Sequence, residues 1–409
     1  MDAMASKSKR QRAKKENTAP LVLLSLTVGI LALLQNWYGQ FSDIPGFYGM
    51  HFSDGQHQWP FSEKDNPASL EPQHPVEYPA LTGLIMWLIS FLIEPTFPDI
   101  YLAHFNYYRI TALLNSILLV LSSYIIYKIV GKNPPLYFIL APAVLYSLNR
   151  NWDIWAITAM LFAIYLFEKK KYQFSAILLA ISIATKFFPL VLMLPIVIIF
   201  LRNKQLKHLV NYTMITTATW TLINLPFVLI NFEGWAYFYK FSAERGLGSA
   251  SFFEIINIIV PTITFSSIHF YVLNIFAFLV VTTYFVKLKF VPSLATSSFF
   301  VMFAFILFNK QYSMQYVIWL SALAVLTFPY VERVHRKLLV YIYTFWQILE
   351  LAFQYTFFRS DSRSTYAYIG LARYLLAVAF AVLLAKFFFA ANAESARDQQ
   401  SLKSGPQSN

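Results

Sequence analysis

The chain has 409 residues, of which 57% are hydrophobic and only 13% are charged, with a net charge of +12 and no cysteine. Charged residues make up about 25% of a typical soluble domain, so this composition excludes an ordinary water-soluble protein, and the lack of cysteine excludes disulfides and thiol catalysis. The charge does not indicate a nucleic-acid partner, because the basic residues form short clusters between long apolar runs, as in cytoplasmic loops of membrane proteins. The sequence therefore predicts an all-α polytopic integral membrane protein.

The apolar runs define a membrane domain over residues 20–390, between a basic cytoplasmic tail (1–19) and a disordered cytoplasmic tail (391–409). Because roughly 20 apolar residues cross a bilayer, we expect about 12 transmembrane helices. The predicted spans are 20–38, 105–127, 135–149, 152–167, 173–187, 188–201, 209–230, 268–286, 293–308, 314–330, 338–357 and 366–390. Several are short, which fits tilted helices or helices that end at a water-filled cavity.

The first outer loop, residues 39–104, contains a further apolar stretch at 78–94. Counting this stretch as a span would place the later basic clusters outside the cell. We therefore expect an interfacial or re-entrant helix on the outer side, with both termini in the cytoplasm at the plasma membrane. The clusters then assigned to the cytoplasm are 7–15, Lys128 with Lys132, 169–171, 202–207, Lys287 with Lys289, and 333–337.

The non-cytoplasmic side collects the polar residues that are candidates for chemistry. Asp43 follows the first span by five residues, which holds it near the membrane plane. For the other acidic residues of the first loop before Glu77, a solvated position is favoured; these are Asp54, Glu63, Asp65 and Glu71. The remaining outer clusters are Asn151-Trp152-Asp153, Glu244-Arg245-Gly246, the segment 309–316, and Arg359 with Asp361 and Arg363.

Lys186 lies inside the apolar stretch 173–201, which is basic at both ends. A chain bent at Pro189 keeps both ends in the cytoplasm and brings Lys186 toward the outer surface. A charge at bilayer depth costs at least about 2.5–3.5 kcal/mol and marks a functional position by default. The alternative is a lysine at a helix end that extends its amine to the membrane surface.

Carboxylates opposite separate cations suit group transfer from an anionic lipid donor. A carboxylate can accept the proton of an acceptor hydroxyl, and cations can neutralise charge on a departing phosphate. Aromatic residues beside these clusters could stack on a sugar ring or belong to the interfacial aromatic belt; they are Tyr78, Trp152, Tyr312 and Tyr316. His51, His57 and His74 match no metal-ligand spacing; we expect no cofactor, although a divalent metal stays open.

The outer clusters resemble the motifs of one enzyme family. Ser42-Asp43-Ile44-Pro45 with Tyr48, and the segment 77–83 (Glu-Tyr-Pro-Ala-Leu-Thr-Gly), resemble polyprenol-phosphate-mannose-dependent mannosyltransferases of the actinobacterial type. These form glycosyltransferase family 87 of the GT-C superfamily. The clusters 151–153, 186–189, 245–246 and 309–319 resemble its later motifs, although Met314 stands where a proline is common.

This resemblance implies a GT-C fold, with an acidic residue and membrane-parallel helices in the first outer loop. It implies inverting transfer of a hexose, with mannose favoured, from a polyprenyl-phosphate donor to a glycolipid or lipid-linked glycan on the non-cytoplasmic face. We expect Asp43 to be the general base, with Asp153 or Glu77 as a second carboxylate.

Further residues are predicted to bind the substrates. Lys186 and Lys310, with Arg245 as a lesser candidate, are expected to bind the polyprenyl phosphate. Asn309, Gln315 and Tyr316 would supply hydrogen bonds, and Tyr78 and Trp152 would contact the sugar. The alternatives are a lipid-linked-sugar flippase or another transporter, which tends to place its site between repeated halves near the midplane, and a non-catalytic scaffold.

Overall fold

The computed structural model describes residues 18–52, 57–63, 74–93, 100–248, 250–359 and 363–403. Several sequence-based expectations lie outside these residues: the basic tail up to residue 17, Asp54, Asp65, Glu71 and Asp361. Within the described ranges the chain is helical and contains no strand.

In the first half of the described chain, short helices alternate with long ones. They are α1 (Ala19–Leu34), α2 (Ile44–His51), α3 (Ala80–Ser90), α4 (Ile100–Val130), α5 (Pro134–Ile139), α6 (Pro142–Ser147), α7 (Asp153–Glu168) and α8 (Tyr172–Thr185). A 3-10 turn, Phe188–Leu192, precedes the second half. The later helices are α9 (Met193–Arg202), α10 (Leu206–Ile230), α11 (Phe232–Glu244), α12 (Phe252–Ile259), α13 (Ser267–Lys287), α14 (Leu294–Leu307), α15 (Tyr316–Thr327), α16 (Arg333–Arg359) and α17 (Arg363–Lys403).

Four helices of the described chain are long and apolar enough to cross a membrane. They are Tyr101–Val130, Leu206–Ile230, Ser267–Lys287 and Arg363–Phe388. Shorter apolar helices of 10–17 residues accompany them. This pattern supports the predicted polytopic membrane protein, whereas the number of about 12 spans stays a prediction.

The structure differs from the predicted elements at three places. The predicted span 135–149 is two short helices, α5 and α6, because Pro142 lacks a backbone N–H and Ala141 before it is extended. The predicted loop 231–267 contains α11 and α12. Helix α17 continues to Lys403, where we expected a disordered tail from residue 391.

The predicted break around Lys186 is present. Helix α8 ends at Thr185, Lys186 adopts extended backbone angles (φ −147°, ψ 132°), and Pro189 lies in the 3-10 turn before α9. Helix α3 has 11 residues, so it is about 16 Å long and too short to cross a bilayer. Its parallel orientation at the membrane surface stays a prediction.

Two packing features position the loops that carry the polar clusters. Every side chain of α15 is buried, and this helix contacts α4, α7 and α14. Helix α1 packs closely on α4, since a Cβ at Gly29 would lie 2.6 Å from the Cβ of Ser116. Such close contacts through small residues are typical of helices in membranes. They fix the end of α1, from which the chain leads to Asp43.

Candidate active-site cleft

A cleft of about 340 Å³ opens where the first outer loop meets the ends of α8 and α11 and the start of α15. It brings together seven of the predicted site residues: Asp43, Glu77, Tyr78, Lys186, Arg245, Gln315 and Tyr316. Its other lining residues are Phe47, Phe187, Phe188, Phe238, Phe241, Ser242 and Ser313. Acidic, basic and aromatic side chains that are far apart in sequence therefore face one space.

Asp43 stands at the N-terminus of α2 and is held by Arg150. The Asp43 backbone N–H donates to the Arg150 carbonyl over 3.0 Å, and Nη2 of Arg150 lies 3.3 Å from Oδ1 of Asp43. The other guanidinium nitrogen, Nη1, donates to the Phe41 carbonyl over 3.1 Å. Arg150 was not among the predicted site residues, although it directly precedes the polar cluster Asn151-Trp152-Asp153 in the sequence.

The surroundings of Asp43 change its affinity for a proton. Its side chain is 40% exposed, but toward the cleft, whose walls remove much of the water around the carboxylate. This burial raises the pKa of Asp43, while the charges of Arg150 and Lys186 lower it and that of Asp153 raises it again. The balance is a pKa above the usual aspartate value, which makes the carboxylate a better proton acceptor.

Lys186 forms an ion pair with Asp153, with 2.8 Å between Nζ and Oδ1. The second oxygen of Asp153 accepts a hydrogen bond of 2.9 Å from Nε1 of Trp319. Because Asp153 is only 2% exposed, it supports Lys186 from behind and does not line the cleft. The Lys186 amine also lies 4.9 Å from the centre of the Tyr78 ring, a cation–π distance.

Glu77 is the second carboxylate on the cleft wall. Its Oε1 lies 3.5 Å from Nε2 of His74. Burial raises the pKa of Glu77, and the nearby His74 and Arg245 act in the opposite direction. Its neighbour Tyr78 is buried, and its hydroxyl accepts a hydrogen bond of 3.4 Å from Nδ2 of Asn151.

Arg245 follows the end of α11 and is exposed on the cleft wall. Among the described residues it takes part in no ion pair. Its guanidinium lies 5.3 Å from the Phe241 ring. An unpaired cation beside a cavity is suited to bind an anion.

Lys310 does not line the cleft; it fixes the loop that carries Arg245. The Lys310 amine is buried and donates to the Ala243 carbonyl over 2.9 Å. The Lys310 carbonyl accepts a hydrogen bond of 2.9 Å from Gly248, where a Cβ would lie 1.7 Å from the Gln311 side chain. Asn309 also lies behind the wall, and its Oδ1 accepts from the Gln311 backbone over 3.3 Å.

Trp152 is 1% exposed and does not line the cleft, and its predicted contact with a sugar stays a prediction. Its ring packs edge-on against Phe47 and Tyr78, with centroid distances of 5.8 and 5.6 Å. The accessible aromatic wall includes Phe238 and Phe241, three residues apart on one face of α11. Phe238 and Phe241 were not among the predicted site residues, because residues 231–267 were expected to form a loop between two spans.

The part of the chain that the structure describes contains no cluster of three His, Asp or Glu side chains able to hold a metal ion.

One family model matches part of this chain. Residues 77–259 match the model of glycosyltransferase family 87. This match covers slightly less than half of the chain and includes Glu77, Lys186 and Arg245. Asp43 and the segment 309–316 lie outside it. The match supports the family that the outer motifs resemble. No curated protein matches the chain.

Proposed function

We propose that this protein is a membrane glycosyltransferase that moves a hexose, with mannose as the first candidate, from a polyprenyl-phosphate donor to a glycolipid or lipid-linked glycan. The transfer takes place on the non-cytoplasmic face of the plasma membrane. The observation that carries this proposal is that Asp43 and Arg245 face one cleft, in a chain whose residues 77–259 match glycosyltransferase family 87.

The transfer is an inverting displacement. The acceptor oxygen forms a bond to the anomeric carbon, and the bond from that carbon to the phosphate oxygen breaks, so the electron pair leaves with the polyprenyl phosphate. The proton of the acceptor hydroxyl passes to the Asp43 carboxylate. The raised pKa of Asp43 favours this transfer near neutral pH.

The cations of the cleft bind and stabilise the departing phosphate. Arg245 is the first candidate, because it is exposed to the cleft and unpaired among the described residues. Lys186 contributes less charge, since Asp153 compensates part of it. Lys310 is a positioning residue that acts through the Ala243–Gly248 loop. This assignment reverses the order of Lys310 and Arg245 expected from the sequence.

The cleft also suits the two lipid substrates. Phe187, Phe188, Phe238 and Phe241 form an apolar wall next to the charged groups, so a polyprenyl chain can lie beside its own phosphate. Glu77 and Gln315 offer hydrogen-bond acceptors and donors for sugar hydroxyls.

The deciding experiment is an assay of the purified full-length protein with polyprenyl-phosphate-mannose and lipid-glycan acceptors, measuring both the new glycoside and the released polyprenyl phosphate. Replacing Asp43→Asn is expected to lower the rate by about 10²–10⁴-fold, because a general base contributes that much. Glu63→Gln, in the same loop but outside the cleft, is the matched control and should keep the activity.

Other outcomes separate the alternatives. A fully active Asp43→Asn protein would remove Asp43 from the mechanism. Movement of a labelled lipid-linked sugar across vesicles without a new glycosidic bond would show a flippase. Transfer of arabinose or glucose, but not mannose, would correct the sugar and keep the reaction class.

A further inference from the structure

A second cavity, which we call the basic pocket, lies at the opposite end of the α7–α8 pair from the cleft. It measures about 360 Å³ and is lined by Lys170, Lys171, Tyr172, Gln173, Phe174, His208, Asn211, Tyr212 and Ile215. Helix α7 starts at Asp153 near the cleft and ends beside the pocket, and α8 returns over 14 residues to Lys186. The pocket is therefore about 21 Å, one helix length, from the cleft.

The cations of the basic pocket have no acidic partner within the described ranges. Neither Lys170, Lys171 nor His208 takes part in an ion pair there. The carboxylate closest in sequence, Glu168, accepts a hydrogen bond of 3.0 Å from the Ala295 backbone and is thus engaged with α14. Glu168 is near enough for its charge to act on Tyr172, but no acidic side chain lines the pocket, so the lining itself has a net positive charge.

Two helix N-termini add to this positive potential. Helices α8 and α10 both begin at the basic pocket, and their N-cap residues, Lys171 and Gln205, form no side-chain cap. The first N–H groups of a helix lack internal partners and carry the positive end of its dipole, which favours an anion. Lys171 is the N-cap residue of α8 and His208 lies in the first turn of α10, so both helix starts contribute a residue to the pocket lining.

Lys170 occupies a backbone position that normally selects glycine. Its φ is 58°, and the Lys171 N–H donates to the Leu166 carbonyl over 2.9 Å in a Schellman turn. Lys204 has the same conformation (φ 56°) at the end of α9 but does not line the pocket. A lysine in this position places its charge at the pocket at the expense of local backbone strain.

The rim of the basic pocket is apolar and exposed. Phe174 lines the pocket and is 62% exposed. Next to the lining residues Asn211 and Ile215 on α10, Val210 is 48% exposed and Met214 is 64% exposed. At the inner end of the pocket the Tyr212 hydroxyl is already engaged, because it shares a hydrogen bond of 2.9 Å with Ser175; the polar groups that reach the pocket are those of Lys170, Lys171, Gln173, His208 and Asn211. A ligand that fits has an anionic head and an apolar tail.

We infer that the basic pocket binds the phosphate headgroup of an anionic membrane lipid, with the acyl chains along the exposed faces of α8 and α10. Basic pockets between transmembrane helices on the cytoplasmic side bind such headgroups, and the sequence assigns residues 169–171 to that side. The inference does not depend on the reaction proposed for the cleft.

The test is native mass spectrometry of the full-length protein in detergent, titrated with phosphatidylglycerol or phosphatidylcholine. The double variant Lys170→Gly/Lys171→Gln should bind phosphatidylglycerol roughly 30-fold more weakly, since two charges are lost. Glycine suits the left-handed position, so this variant is expected to fold. The matched control Lys204→Gly/Lys207→Gln removes two charges from the neighbouring turn and should stay within about 3-fold of the original chain.

Three results would overturn the inference. One is an equal loss of binding in both double variants, which would show general attraction of lipid to basic loops. Another is binding of phosphatidylcholine as tight as that of phosphatidylglycerol. The third is full displacement of phosphatidylglycerol by millimolar inorganic phosphate, which would identify the ligand as a soluble phosphate.

Discussion

Two buried ion pairs in this protein have the same chemistry and different surroundings. Lys186 pairs with Asp153 at the cleft, and Arg373 pairs with Glu350 between α16 and α17. The Lys186 side chain is 13% exposed and borders a cavity of about 340 Å³. The Arg373 side chain is 1% exposed, and the cavity beside it measures only about 10 Å³.

The Arg373–Glu350 pair is enclosed by its own hydrogen bonds and by aromatic rings. Glu350 accepts from the Tyr312 hydroxyl over 2.8 Å and from Nε1 of Trp346 over 3.0 Å. Arg373 donates to the Ala250 carbonyl over 2.7 Å, and its guanidinium lies 3.7 Å from the Phe353 ring centre. This pair ties two helices to the loops that follow Gly248 and precede Tyr316.

The comparison shows why burial of a charge does not identify a catalytic group. A buried pair is costly to form and stabilises the protein only through good geometry and further hydrogen bonds. The enclosed pair has both, so its role is structural. Lys186 keeps one side toward the cleft, so its charge is available to a ligand. Access to a cavity separates the two roles.

The largest effect should come from breaking the enclosed pair. Glu350→Ala leaves Arg373 charged and without its carboxylate, which should destabilise the protein by about 3–5 kcal/mol. The measurement is the melting temperature of the purified protein in detergent. Glu332→Ala, which removes an exposed carboxylate near the start of α16, should change stability by at most about 0.5 kcal/mol. An unchanged melting temperature for Glu350→Ala would contradict a structural role.

Removing the unpaired cation of the cleft should lower the activity and leave the stability unchanged. Arg245→Gln is expected to lower the transfer rate by about 10²–10³-fold, as loss of one group that stabilises developing negative charge does. Its melting temperature should stay the same, because Arg245 is exposed. Lys240→Gln, on the same helix and paired with Glu233, is the control and should keep the activity. Equal rates for both variants would rule out phosphate binding by Arg245.

Breaking the cleft pair should cost less stability than breaking the enclosed pair. Asp153→Asn keeps an acceptor for Trp319 and leaves Lys186 next to the Tyr78 ring and cleft water, so we expect a loss of about 1–3 kcal/mol. Thermal unfolding of Asp153→Asn and of Glu350→Ala under the same conditions measures the difference between the two losses of stability. A loss of stability as large as that of Glu350→Ala would show that water in the cleft does not stabilise the unpaired charge of Lys186.

The smallest effect is a change in pH dependence. The Arg150 charge lowers the pKa of Asp43, so Arg150→Gln should raise that pKa further. Because the proposed transfer requires ionised Asp43, the acid side of the kcat/KM profile should move to higher pH, with little change on the plateau. An unmoved acid limb would mean that another group is the base. The control is the kcat/KM profile of Lys240→Gln, because Lys240 does not line the cleft.

The sequence predicted those parts of the site that depend on local signals. Lys186 stood out as a charge within an apolar stretch, and the break after Thr185 followed from Pro189. Asp43 stood out by its distance from the first span. The first two features follow from the cost of placing a charge or a proline in a membrane helix, and the third follows from the short distance along the chain.

The remaining parts depend on long-range contacts that no local pattern shows. The Arg150–Asp43 pair joins residues 107 positions apart, and the use of Asp153 as the partner of Lys186 depends on how α7 packs against α8. Trp152 was predicted to meet a sugar because polar neighbours flank it, whereas packing against Phe47 and Tyr78 buries it. The break of 135–149 at Pro142 was visible in the sequence and was missed.

The short helix α8 also relates the protein to the thickness of its membrane. Its 14 residues span about 21 Å, whereas a hydrocarbon core is about 30 Å thick. In the topology predicted from the sequence, α8 starts at the cytoplasmic surface, so its end at Lys186 would fall short of the outer surface by roughly 9 Å. A bilayer of shorter acyl chains reduces this mismatch. In that topology the cleft would lie level with the lipid headgroups, so the acyl-chain length of the bilayer would set how readily the proposed lipid phosphate reaches Lys186.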